Sequence, residues 1–151
     1  MKLRNWLLLP VASALVVIAT DFAIAQTPAE AKSAAQFVER FHQTLKDGDR
    51  NAVLSALADD AIIFESGYAE SKSDYAASHL AEDIIFAKTT ARVVKKTTTR
   101  CVKAMCVVMQ QSDTTGTYKD KPVKSIGVET SVLHSDKEAW KIMHLHWSSH
   151  K

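Results

Sequence analysis

The sequence predicts an α+β fold from two observations. Apolar residues recur at helical spacing in the first half of the mature chain, and β-branched residues and turns dominate from Thr90 onward. Helical and strand segments do not alternate along the chain, so a doubly wound parallel sheet is not expected. The length of 151 residues allows one domain.

The first predicted helix begins at a capping box, Thr27-Pro28-Ala29-Glu30. Its apolar face is formed by Ala34, Phe37, Val38, Phe41 and Leu45. Asp47-Gly48-Asp49 ends this helix and caps a short second one. We expect a short strand over residues 61–64, a turn at Ser66-Gly67, and a third helix that starts near Ser71 or Ser73 and continues toward Phe86.

Four long strands are predicted in the second half, over residues 92–102, 105–118, 123–133 and 140–148. The turns between them are short, so an antiparallel meander is expected. Three N-terminal helices would then pack on a mainly antiparallel sheet.

Residues 1–25 have the features of a signal peptide. Lys2 and Arg4 form a positive segment, an apolar run follows, and Ala23-Ile24-Ala25 is a small-x-small cleavage site. The apolar run is too short for a stable membrane span, so we expect none after cleavage. The mature domain is predicted to cover residues 26–151 and to be periplasmic or secreted.

The net charge of +2 is too small to indicate a nucleic-acid partner.

Cys101 and Cys106 are the two cysteines, and in an oxidising compartment a disulfide across a hairpin is geometrically allowed. Two free thiols or a redox pair remain as alternatives, although four intervening residues is not the spacing of redox motifs.

Two segments resemble a known superfamily. The run Phe37-Val38-x-x-Phe41 through Asp47-Gly48-Asp49 to Asp59-Asp60-Ala61-x-x-Phe64 is similar to the opening of SnoaL-like members of the nuclear-transport-factor-2-like superfamily. Glu129-Thr130-x-Val132-x-His134 and Trp140-x-x-x-His144-x-His146-x-Ser148 resemble the association domain of calcium/calmodulin-dependent kinases. The resemblance implies a cone-shaped half-barrel whose strongly bent sheet and helices enclose a pocket.

The resemblance also implies a ligand site and a homodimer. Strand alternation puts Met143, Leu145 and Trp147 on one face, and by resemblance this face, with Glu129 and Ser131, lines a largely apolar pocket. Ile142 and the histidines would lie on the opposite, dimer-forming face. Association domains carry arginines where this chain has Ser131 and Trp147, so a small apolar or amphipathic ligand is expected rather than an anion.

Besides simple binding, the sequence allows two other functions, acid–base catalysis and metal binding. Glu65, His79 and Tyr68 come from segments that line the pocket mouth in this superfamily, and together they could perform acid–base catalysis of the isomerase, dehydratase or hydrolase type. His144 and His146 are candidate copper or zinc ligands, but no nearby spacing completes a ligand set, so a metal is not favoured and no cofactor is predicted. Convergence of Glu65 and His79 on one cavity with perturbed pKa values would favour an enzyme, and an apolar cavity with all carboxylates outside would favour a binding protein. We expect a binding protein, because no complete catalytic set can be named.

Overall fold

The computed structural model describes residues 27–136 and 139–150, and the predicted signal peptide lies outside them. Helices and strands follow one another as α1 (Pro28–Asp47), α2 (Arg50–Ala56), β1 (Leu57–Glu65), β2 (Tyr68–Ser71), α3 (Lys72–Ala77), α4 (His79–Thr89), β3 (Thr90–Val102), β4 (Met105–Tyr118), β5 (Lys121–Asp136) and β6 (Ala139–His150). The helices pack on an open six-stranded sheet, so the predicted α+β cone is confirmed. In the described part of the chain, no helix is long and apolar enough to span a membrane.

Capping interactions place the first two helices as predicted. The Thr27 side chain accepts a hydrogen bond from the backbone N–H of Glu30, and Pro28 occupies the first helical position. Gly48 ends α1 with φ 78°, a left-handed conformation that costs glycine little. Asp49 then accepts a hydrogen bond from the Ala52 N–H and begins α2.

The segment between Leu57 and Thr89 differs from the prediction. The expected third helix is two helices, because Ser78 leaves the helical conformation with φ −124° and ψ −85°. The fold therefore has four helices in the described residues rather than three. Strand β1 is longer than residues 61–64, and the unpredicted β2 pairs with it through the Ser66-Gly67 turn.

The sheet has the strand order β2-β1-β6-β5-β4-β3. Strands β3 to β6 form the predicted antiparallel meander. Strand β1 instead runs parallel to β6, with Glu65 opposite Trp147. This long-range pairing brings the N-terminal half of the chain next to the last strand.

A bulge in β6 reverses the predicted alternation of its side chains. The pairing with β5 shifts between Val132–His144 and Leu133–Ile142, so Met143 is the extra residue. As a result, Ile142 lies in the core with Leu145, and both are fully buried. The prediction that Ile142 faces outward is therefore wrong, and Met143, predicted to face the pocket, is the unpaired residue of the bulge.

The two faces of the sheet differ in their surroundings. The inward face packs against the buried side of α1, which presents Ala34, Val38, Phe41 and Leu45. The outward face leaves several large apolar side chains exposed to solvent: Ile62, Phe64, Val93, Val102, Met105, Met109, Ile126 and Val128.

The cysteines form a disulfide, as the hairpin prediction allowed. Cys101 and Cys106 are directly opposite in the β3–β4 register, with a Cα–Cα distance of 4.0 Å. Both side chains are buried on the inward face. The alternative of two free thiols does not apply to this structure, and a redox role for the pair stays untested.

Candidate functional site

A cleft of about 910 Å³ opens between the inward face of the sheet and helices α1 and α4. This volume is within the range of small-molecule sites. Its ionisable lining residues are Glu39, His42, Lys46, Glu65, His79, Glu82, Asp83, Arg92, Tyr118, Lys119, Glu129 and His146. The expectation of a largely apolar pocket is therefore wrong, because acidic and basic side chains from α1, α4 and the sheet enter the cleft.

Strand register places four polar or aromatic side chains in one row across the sheet. Glu65 on β1 is opposite Trp147 on β6, Trp147 is opposite Glu129 on β5, and Glu129 is opposite Gln110 on β4. All four lie on the inward face because each strand alternates its side chains. Glu65, Trp147 and Glu129 of this row line the cleft.

Glu129 is the best-satisfied carboxylate of the site. Its side chain is 5% exposed, and it accepts hydrogen bonds from Nε2 of His42 at 2.6 Å, Nε1 of Trp147 at 2.9 Å and Oγ of Ser131 at 2.7 Å. Arg92 adds an ion pair at 3.6 Å. Burial alone would raise the pKa of Glu129, but His42, Ser131 and Arg92 outweigh it and lower that pKa to about 2.

The guanidinium of Arg92 is shared among several acceptors. It donates to Oε1 of Gln110 at 2.7 Å and pairs with Glu39 at 3.5 Å. Gln110 in turn donates from Nε2 to Glu39 at 2.5 Å. Arg92 is thus neutralised by carboxylates of this chain, which leaves it poorly suited to bind an anionic ligand.

Trp147 is held in place by its aromatic neighbours. Its ring stacks near Phe41 at 6.3 Å between centroids and lies 6.5 Å from the ring of Tyr75. Its N–H is already used by Glu129. The indole therefore offers a rigid apolar surface between Glu65 and Glu129.

The surroundings of Glu65 raise its pKa, whereas those of Glu129 lower it. Its Oε2 atom is buried without a hydrogen-bond partner among the described residues. Burial first, and then the charge of Asp83, raise the pKa of Glu65 to about 7, although His79 opposes this rise. A carboxyl group of this kind can gain or lose a proton near neutral pH.

Two neighbours define the environment of Glu65. Asp83 on α4 accepts a hydrogen bond from the buried Tyr75 hydroxyl at 2.8 Å, and its pKa is raised by burial in spite of this bond. His79 donates from Nδ1 to Glu70 at 2.6 Å, and this bond raises the pKa of His79. At one end of the cleft, therefore, the carboxyl groups of Glu65 and Asp83 have raised pKa values, and the pKa of the His79 imidazole is raised as well.

The structure brings together some of the predicted site residues and separates others. Glu65 and His79 line the same cleft, as do Glu129 and Trp147. Tyr68 is 63% exposed, with its ring 6.0 Å from that of His79, and it does not line the cleft. Ser131 and Leu145 are fully buried beneath the site. Ligand binding by this set stays a prediction.

The side chains of the two metal candidates lie on the outward face, and His146 also borders the cleft. His144 bonds through Nδ1 to the Ile62 carbonyl at 2.9 Å, and Phe64 contacts the rings of both His144 and His146. Within residues 27–136 and 139–150, no group of three or more His, Cys, Asp or Glu is arranged to hold a metal ion.

Sequence reasoning missed His42 and Asp83 and left Arg92 without a partner. His42 directly follows the buried Phe41 and is three residues after Glu39, a spacing that places both at the border of the buried face of α1. Asp83 stands beside a run of apolar residues in α4 and accepts from Tyr75. These patterns are visible in the sequence, but the residues that His42, Asp83 and Arg92 contact in the fold are not.

Comparisons with known proteins agree on the family. A SnoaL-like domain profile matches residues 34–150. A candidate ketosteroid isomerase from Shewanella frigidimarina NCIMB 400 is 31% identical, with 75% of this chain and 92% of that chain covered and a TM-score of 0.71. No curated protein sequence matches significantly.

More distant solved structures share the fold. A candidate dehydratase of the nuclear-transport-factor-2-like family from Streptomyces avermitilis has a TM-score of 0.71 at 14% identity, covering 83% of this chain and 99% of that one. A candidate calcium/calmodulin-dependent protein kinase II association domain from Xanthomonas campestris has a TM-score of 0.66 at 21% identity, covering 83% and 93%. On the profile match and the 31% identical relative, this chain belongs to the SnoaL-like domain family.

Proposed function

We propose that this SnoaL-like domain binds a small amphipathic molecule in the cleft and exchanges a proton with it through Glu65. The observation that carries the proposal is the buried, unpartnered Oε2 of Glu65 at a pKa of about 7, at the edge of the cleft. Glu65 and His79 line the same cleft, which supports an enzyme rather than a simple binding protein. The 31% identical relative, described as a candidate ketosteroid isomerase, supports proton transfer next to a carbonyl group.

The contrast between the two carboxylates of the row supports this assignment. Glu129 stays ionised over the physiological range, whereas Glu65 changes its protonation near neutral pH. Acid–base sites commonly separate two carboxyl groups in this way. Between them, the indole of Trp147 offers a surface on which a flat or ring-shaped apolar molecule would stack.

Deuterium exchange tests the proposal without knowledge of the natural substrate. β-Tetralone, a flat ketone with acidic C–H bonds, is incubated in D₂O with the wild-type protein or with Glu65→Gln, and incorporation is followed by proton NMR. We expect the wild type to accelerate exchange at least about 100-fold over the variant, the usual size of a general acid–base contribution. Equal exchange rates in the two proteins would refute the proposal.

Binding without chemistry is the second candidate function, and the closed network around Arg92 and Glu129 favours it. The side chains of Arg92, Gln110, Glu129 and Ser131 bond to one another or to Glu39, which is typical of a structural scaffold. If Glu65→Gln and the wild type bind β-tetralone equally and neither exchanges its protons, the domain is a binding module.

We also propose export and homodimer formation. The signal-peptide pattern of residues 1–25 supports export, and N-terminal sequencing of protein from the periplasm should begin at Gln26.

The exposed side chains of Ile62, Phe64 and Val128 support a homodimer in which two outward sheet faces pair. Sedimentation should give a dimer that Phe64→Asp dissociates and that Lys32→Asp on α1 does not. A monomeric wild type at micromolar concentration would refute pairing.

A further inference from the structure

The bond between Glu129 and His42 fixes which nitrogen of His42 carries a proton. Glu129 is ionised and can accept hydrogen bonds but not donate them, so Nε2 of His42 must be the donor across the 2.6 Å contact. In a neutral imidazole, the lone pair then resides on Nδ1. Within the residues that the structure describes, Nδ1 of His42 makes no hydrogen bond, and the side chain is 18% exposed and lines the cleft.

The imidazole of His42 is also fixed in orientation. The Phe41 ring lies 5.8 Å away in an edge-on arrangement, and the Trp147 ring lies 6.2 Å away. The carboxylate that holds Nε2 is itself held by Trp147 and Ser131. A side chain locked this way loses little entropy when it meets a ligand.

His42 and Glu65 stand on opposite sides of the same indole. Glu65 is the register partner of Trp147 on β1, and the partner of Trp147 on the other side, Glu129, holds His42. A molecule stacked on Trp147 would therefore lie between an imidazole nitrogen and a carboxyl group that titrates near neutral pH.

We propose that His42 is a second proton-transfer group of the cleft and that Glu129 is the positioning residue that holds its working tautomer. The inference deepens the proposed function and rests on it. The substrate class is that of the proposed function, a small carbonyl compound.

The proton transfers balance between the two groups. Nδ1 of neutral His42 takes a proton from the carbon next to the carbonyl group, and the electron pair of the broken C–H bond forms a carbon–carbon double bond. The carbonyl π electrons move to oxygen, which receives the proton of the protonated Glu65. The product is an enol, His42 has gained one positive charge and Glu65 one negative charge, so the net charge of the site is unchanged.

Two acidic groups interact with His42. Glu129 of β5 is in hydrogen-bond contact with its Nε2, and Asp83 of α4 interacts with it electrostatically. Because Arg92 and Glu39 compensate each other, Glu129 is the group that most directly stabilises a positive charge on the ring.

The test measures deuterium incorporation into β-tetralone from D₂O across pH for the wild type, His42→Gln, Glu129→Gln and His134→Gln. His134 is an exposed histidine at the far end of β5, so its variant is the matched control. We expect the wild-type rate to fall above about pH 7 as Glu65 loses its proton, a loss of about 100-fold in His42→Gln, and an unchanged His134→Gln. Glu129→Gln should lower the rate of exchange but leave the affinity for β-tetralone unchanged.

The outcomes separate this inference from the proposed function. A wild type that exchanges protons while His42→Gln keeps the same rate and profile would overturn the inference and leave the role of Glu65 intact. A wild type no faster than Glu65→Gln would overturn both. If His42→Gln fails to fold, nitrogen-15 NMR of the wild type decides: a neutral His42 with its proton on Nδ1 would contradict the inference, and one with its proton on Nε2 would support it.

Discussion

Glu65 and Glu129 occupy the same level of the sheet, one register position to either side of Trp147, yet their surroundings drive their pKa values in opposite directions. Glu129 accepts three short hydrogen bonds and faces Arg92. Glu65 has one buried oxygen atom without a partner and lies near Asp83. The difference arises from the neighbouring strands and helices, because the residue type is the same.

Replacing Glu65 with Gln should stabilise the protein at alkaline pH. The pKa of Glu65 is raised from its ordinary 4.5 to about 7, so the stability of the wild type is full below pH 4.5 and falls as pH rises through 7. The rise corresponds to about 3 kcal/mol for a fully buried group, and partial exposure reduces it to about 2 kcal/mol. Urea denaturation at about pH 5 and about pH 8.5 should show that Glu65→Gln has a higher free energy of unfolding than the wild type at the higher pH alone. An equal difference between the two proteins at both pH values would contradict this prediction.

Replacing Glu129 with Gln should have the opposite pH dependence. Its lowered pKa of about 2 means that the carboxylate contributes stability above pH 4.5, which is lost as pH falls toward 2. At neutral pH we expect a loss of about 3 kcal/mol in the free energy of unfolding, because Arg92 and His42 lose their buried partner.

The half-exposed Asp113, paired with Lys95 at 3.5 Å, provides the control for Glu129. Asp113→Asn should change the free energy of unfolding by less than about 1 kcal/mol. Equal losses in the two variants at neutral pH would show that the network around Glu129 contributes no more than a surface ion pair.

Replacing Trp147 with Phe should weaken the site while preserving its aromatic surface. The variant loses the 2.9 Å hydrogen bond to an ionised carboxylate, which we expect to cost about 2 kcal/mol. Trp140→Phe removes a 3.1 Å bond to the neutral Ser33 hydroxyl and should cost about 1 kcal/mol. Chemical denaturation compares the two, and a greater loss in Trp140→Phe would contradict the role assigned to Trp147.

Removal of the disulfide should cost little. The Cys101–Cys106 bridge closes a short loop, so a double replacement by Ala should lower the free energy of unfolding by about 2 kcal/mol. Both sulfurs should resist alkylation in unfolded protein until a reductant is added. Alkylation of unreduced, unfolded protein purified from the periplasm would show that the bridge does not form there.

The sequence was informative where local chemistry determines structure. Thr27, Gly48 and Asp49 mark the ends of the first helices, and the turns of the second half mark the meander. The bulge at Met143 could not be read from alternation, because one extra residue exchanges the faces of all residues before it. Ile142 was therefore placed on the wrong side.

Some residues that line the cleft can be predicted from the sequence, but the polarity of the cleft cannot. Of the predicted residues, Glu65, His79, Glu129 and Trp147 line the cleft, whereas Tyr68, Ser131, Met143 and Leu145 do not. Its polarity depends on contacts between residues far apart in sequence, such as His42 with Glu129 and Arg92 with Gln110. No local spacing encodes those pairs, so an apolar pocket was expected in place of a charged one.

The most direct test of the acid–base assignment is the titration of the Glu65 carboxyl group by carbon-13 NMR in the folded protein. Its signal is identified as the one that Glu65→Gln removes. The environment of Glu65 predicts a midpoint at a pKa of about 7. A midpoint at the ordinary value of 4.5 would mean that Glu65 is ionised throughout the physiological range and would contradict its role as the proton-exchanging group of the cleft.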